Sequence, residues 1–155
     1  MHTIPRFVSI VAILLGSFDI VRGLVHTVFV GNKGAILAGL DLAGSTGLDQ
    51  LTLMIAFGAS NLITGAALIV FGFVNRFGAL IMLIVIPLAY AIAGVSLEYW
   101  GTNLTGTGSF PGRRNVAYYI SICVFSVTVA LLSMWRQRRQ DTANLLNRGD
   151  GYNKN

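Results

Sequence analysis

Charge is what this sequence has least of. Asp, Glu, Lys and Arg make up 11% of its 155 residues, against about 25% in an ordinary soluble domain. So few charges cannot cover a water-facing surface. Intrinsic disorder is excluded as well, because it needs low hydrophobicity together with high charge. Cysteine is almost missing. Cys123 stands alone, which excludes an internal disulfide, a CxxC redox pair and a thiolate metal cluster. The only histidines are His2 and His26, too few for a histidine-rich metal site, and no HExxH sequence occurs. Neither a phosphate-binding loop nor an assignable nucleophile–histidine–acid set is present, so no catalytic residue, cofactor or metal ligand is assigned and an enzyme is the weakest reading. The net charge of +5 would suggest nucleic acid in a soluble protein; here the placement of the charges argues otherwise.

What is abundant is apolar. Hydrophobic residues reach 54% and the mean hydropathy is +0.70. They fall into four runs, 7–30, 51–74, 78–97 and 116–135. Each is close to or above the roughly 20 residues an α-helix needs to cross the hydrocarbon of a bilayer. A signal peptide is the other reading of the first run. That run is too long for one, and no small-residue cleavage site follows it, so a retained span is expected. The expected fold is an all-α membrane protein, an antiparallel four-helix transmembrane bundle over residues 1–135. A basic, polar and mobile tail is expected over 136–155.

The connections differ in kind. Asn75, Arg76 and Phe77 alone separate the second run from the third, which predicts a tight helical hairpin. The 31–50 link is broken by five glycines, yet its 35–43 segment is mostly apolar and is expected at the membrane interface or folded over the bundle. Asp49 reads as the N-cap of the second helix. In the Gly- and Thr-rich 98–115 link, Asn103-Leu-Thr matches a glycosylation acceptor. Basic residues set the topology. Arg6, Arg76, Arg136, Arg138, Arg139, Arg148 and Lys154 share one side, and Lys33, Arg113 and Arg114 the other. This predicts a multi-pass protein of the plasma (inner) membrane with both termini cytoplasmic. Tyr99, Trp100, Tyr118, Tyr119 and Trp135 fall where interfacial aromatics belong.

Ionisable residues inside a span are expensive and face the bundle or a wet cavity. The first span holds three: Asp19, Arg22 and His26. At i, i+3 and i+7 they share a stripe roughly 60° wide. Two readings stay open: a binding site, or an Asp19–Arg22 ion pair that only fixes helix packing. On the second span, Gly58, Gly65 and Gly72 recur every seven residues, a pattern that lets helices approach closely. Asn61 lies on the same side, about 15 Å from the outer end, against about 16 Å for Asp19. A meeting of Asn61 with the Asp19–Arg22 pair is expected. Pro87 should kink the third span. Glu98, at that span's outer edge, joins the candidate cluster if it turns inward, and is otherwise a hydrated surface carboxylate.

The stretch Asn61-Leu-Ile-Thr-Gly-Ala-Ala-Leu-Ile-Val-Phe-Gly-Phe-Val-Asn-Arg-Phe-Gly-Ala-Leu resembles the DoxX-like family of small four-span membrane proteins. The likeness lies in a polar residue, a glycine, an apolar run, a second glycine and a basic turn leading into the next span. The resemblance implies a four-helix bundle and a link to membrane redox or quinone-associated systems, because some relatives accompany oxidoreductases. Three functions are therefore carried forward. One is a bundle that binds a small molecule or lipid in an outward-opening pocket lined by Asp19, Arg22, His26 and Asn61, as an accessory to a redox system. A second is a small proton-coupled transporter or channel, with Asp19 and His26 as relay. The third is an assembly protein that offers its glycine face to a membrane-protein partner or another copy of itself. The lipid bilayer is a partner in all three, and nucleic acid in none.

Overall fold

The computed structural model describes residues 4–31, 43–101 and 113–152, and four α-helices hold nearly all of them. They are α1 (Arg6–Thr27), α2 (Gly47–Val74), α3 (Arg76–Gly101) and α4 (Arg113–Tyr152). Among the described residues there is no strand. All four helices are long and apolar enough to cross a membrane. The outer surface is apolar too: Leu14, Val21, Ile63, Phe73 and Leu97 are each more than 60% exposed. Water does not tolerate so large an apolar surface; lipid does. This is an all-α four-helix bundle of membrane type.

The α1–α2 contact is by far the largest in the molecule, and glycine produces it. A methyl group built on Gly65 would lie 2.6 Å from the Gly16 carbonyl oxygen. One on Gly58 would lie 3.0 Å from the Gly23 carbonyl, and one on Gly72 3.1 Å from that of Ser9. The pairs 9/72, 16/65 and 23/58 run in opposite directions, so the helices are antiparallel and in strict register. Without side chains at the contact the two backbones touch, and dispersion replaces the hydrophobic driving force that lipid removes. The glycine face expected to receive another membrane protein is thus already covered by α1.

A single residue joins α2 to α3. Asn75 is extended (φ −147°, ψ 97°) and its N–H caps α2 by donating to the Phe71 carbonyl at 2.9 Å. Its side-chain Oδ1 then accepts from the N–H groups of Phe77 and Gly78, at 3.0 and 3.3 Å. One asparagine therefore ends one helix and starts the next, giving partners to one orphan carbonyl of α2 and two orphan N–H groups of α3. α3 runs unbroken through Pro87.

Three expectations about ends need correction. α2 starts at Gly47 after Thr46, so Asp49 lies in its first turn, where it complements the positive end of the helix dipole. The 136–152 segment is helical and continues α4; Arg, Gln, Ala and Leu are good helix formers, and no proline interrupts them. Glu98 is exposed on the last turns of α3, as are all of residues 91–99, and does not turn inward to the cluster. The mostly apolar part of the first link, Asn103, Lys33 and Lys154 lie outside the described residues, apart from Ala43.

Six hydroxyl groups on the spans are handled locally. Ser17, Thr27, Thr52, Ser121, Thr128 and Ser133 each donate to the carbonyl four residues back, at 2.8 Å. This removes the need for water at each site.

Candidate functional site

α1 carries Asp19 into the centre of the bundle because Gly16 and Gly23, one turn to either side, bring it close against α2. Asp19 is only 3% exposed. Its partner is not Arg22. The Tyr119 hydroxyl on α4 donates to Asp19 Oδ2 at 2.7 Å. Arg22 has other partners: Nη1 donates to the Tyr90 hydroxyl on α3 at 3.4 Å, and Cζ lies 4.6 Å from the centre of the Phe57 ring on α2. The expected Asp19–Arg22 ion pair is thus replaced by two aromatic hydroxyls on other helices. A neutral phenol at hydrogen-bonding distance satisfies a buried carboxyl group without a second desolvated charge. An arginine over an aromatic face likewise keeps a favourable electrostatic partner.

His26 lies one turn above Arg22 and rests on the same ring, its centroid 5.4 Å from that of Phe57. Its Nδ1 is buried without a hydrogen-bond partner. Phe57 therefore touches both Arg22 and His26.

A cavity of about 250 Å³ lies between α1, α2 and α3. Asp19 lines it from α1, and Phe57, Ser60, Asn61 and Thr64 from α2. Ile86, Ala89, Tyr90 and Ala93 line it from α3. Asp19 and Asn61 thus share one cavity, while Arg22, His26 and Glu98 stand outside its lining. The stripes 57/60/61/64 and 86/89/90/93 both follow the i, i+3, i+4, i+7 spacing of one helix face. Asn61 is 5% exposed, and its Nδ2 has no hydrogen-bond partner. Ser60 and Thr64 line the cavity, and among the described residues neither side chain makes a hydrogen bond, as is also true of Ser9, Ser96 and Ser126.

The sequence placed Tyr119 among the interfacial aromatics and singled out neither Tyr90 nor Phe57. The signal that finds Tyr119 is depth, because it lies a full turn inside its span while Tyr118, its neighbour, faces outward at 62% exposed. The Ser9, Gly16 and Gly23 partners of the α2 glycines were also missed, although their seven-residue spacing is as regular.

A second hollow, of about 450 Å³, lies between α1 and α4. Leu14, Leu15, Phe18 and Ile122 give it an apolar wall.

No family model, curated protein or solved structure matches this chain.

Proposed function

We propose that this protein is an integral membrane bundle that holds a small molecule or lipid in the cavity between α1, α2 and α3. One observation carries the reading: Asn61 is buried at the cavity with an amide nitrogen that has no partner. An unmade hydrogen bond at a buried amide costs about 1–3 kcal/mol, and a ligand bearing an acceptor recovers it. The DoxX-like resemblance extends the proposal to an accessory role in a membrane redox or quinone-linked system. The basic residues extend it to the plasma (inner) membrane with both termini cytoplasmic.

The two other readings have less support. A proton relay from Asp19 to His26 lacks a link, since Asp19 is bonded to Tyr119 and His26 stacks on Phe57. Assembly through the glycine face would have to displace α1.

The test is Asn61→Leu, followed for stability and for bound ligand. Leu removes an unpaired polar group at nearly constant volume. Thermal unfolding in mild detergent should be unchanged or raised by about 1 kcal/mol of stability. Mass spectrometry of the purified protein should find the co-purifying small molecule or lipid lost. Destabilisation by more than that, with the bound species retained, makes Asn61 a structural residue and removes the site.

A further inference from the structure

The position of the cavity along the helices tells how it is reached. Asn61 lies at the middle of the 28-residue α2, and Ala89 at the middle of the 26-residue α3. Each is roughly 20 Å from either end of its helix, deep in the hydrocarbon of a bilayer some 30 Å thick. Burial separates floor from rim. Asp19, Asn61 and Ile86 are buried, whereas Ser60, Ala89 and Ala93 are exposed. The exposed three are all small, and they sit on α2 and α3. These helices are joined at Asn75, and at the far end of α3 residues 91–99 are all exposed. The gap between them therefore faces the acyl chains.

The lining also limits the head group. Its one ionisable carboxyl group is Asp19, and it contains no cation; the guanidinium of Arg22 is held by the Tyr90 hydroxyl and Phe57. An anionic head would face the Asp19 carboxyl group, and the one nearby cation, Arg22, stands outside the lining on Tyr90 and Phe57. The unbonded amide of Asn61 and the hydroxyls of Ser60 and Thr64 offer donors, and Asp19 offers an acceptor. A group that both accepts and donates fits this set.

Resting on the binding function proposed above, we propose that the ligand is an uncharged amphiphile with a hydroxyl or amide head. It enters sideways from the bilayer, between α2 and α3, with its head against Asp19 and Asn61 and its tail left in the lipid. This lateral route differs from the outward opening expected from the sequence.

The experiment uses the full chain in phosphatidylcholine vesicles with two photoreactive probes that share one diazirine-bearing acyl chain. One is a monoacylglycerol and the other the free fatty acid. Cross-linked peptides are mapped by mass spectrometry. The monoacylglycerol should label the peptides holding Ser60–Asn61 and Ala89–Ala93, at least tenfold more than the fatty acid does. Ala89→Trp and, separately, Ala93→Trp put an indole in the lipid-facing mouth, away from the packed core. Each should cut that labelling at least tenfold and leave thermal unfolding unchanged. Undiminished labelling in both Trp variants overturns the lateral route and leaves the binding function standing. Preferential labelling by the fatty acid overturns the uncharged head in the same way. Absence of cavity labelling by both probes overturns the inference and the binding function together.

Discussion

Tyr119 is the residue on which the polar centre depends most. It is 3% exposed, its ring packs 6.2 Å from that of Tyr90, and its hydroxyl is the hydrogen-bond donor to Asp19. Through Asp19 and Arg22, α1 is tied to α4 by one tyrosine and to α3 by the other. Tyr119→Phe keeps the ring and removes only the donor. Interhelical hydrogen bonds in membranes average about 0.6 kcal/mol and reach about 1.7, and a carboxyl group left unpaired raises the figure. The variant should lose about 1–2 kcal/mol in reversible unfolding in detergent. Asp19→Asn combined with Tyr119→Phe should lose less than the sum of the two single changes, because both remove the same bond. Full additivity in that cycle would mean that the 2.7 Å contact contributes nothing.

At the scale of elements, the α1–α2 pair and the free end of α3 make opposite predictions for the same substitution. Gly65→Ala would set a methyl group 2.6 Å from a backbone carbonyl that cannot move aside alone. The two helices must separate, and overpacking of this kind costs about 1–3 kcal/mol. A methyl on Gly94 meets nothing within 4 Å, so Gly94→Ala should gain up to about 1 kcal/mol from helix propensity. Unfolding midpoints of the two variants should move in opposite directions, and a matched shift would disprove the register. Much of this layer was legible in the sequence. The four apolar runs lie within or close to the four helices, and the glycine repeat of α2 is the repeat that touches α1. The helix ends were less legible. Hydropathy reports where lipid begins, whereas a helix stops where its backbone loses partners; Asn75 shortens one link and the formers after Trp135 lengthen α4. The site was legible in part. Spacing puts Asp19 and Asn61 at one depth, and the structure has both lining one cavity. It cannot tell which of several aromatics will accept a side chain from another helix, so Phe57, Tyr90 and Tyr119 emerged only from the packing.

The whole molecule is asymmetric along the bundle axis, and this sets how it sits in a membrane. α4 has 40 residues and is about 60 Å long, twice the hydrocarbon thickness. Its apolar part ends at Trp135. There the guanidinium of Arg139 lies 3.8 Å from the centre of the indole ring, an arrangement suited to the head-group level. Beyond this point the helix carries its charges into water on the side of the Asn75 turn and of Arg6, whose helix runs antiparallel to α2. The excess of arginine on that side is the ground on which we propose that it faces the cytoplasm. The lone cysteine makes the assignment directly testable. Cys123 is fully buried and should be silent toward a membrane-impermeant maleimide, so the natural chain serves as its own blank. Gln140→Cys should then label in inside-out membrane vesicles and stay unlabelled in right-side-out ones, with Ser45→Cys showing the reverse. Labelling of both from one side would break the four-span topology. A clean exchange of the two patterns would keep the bundle and invert it, placing the arginines outside against the charge rule.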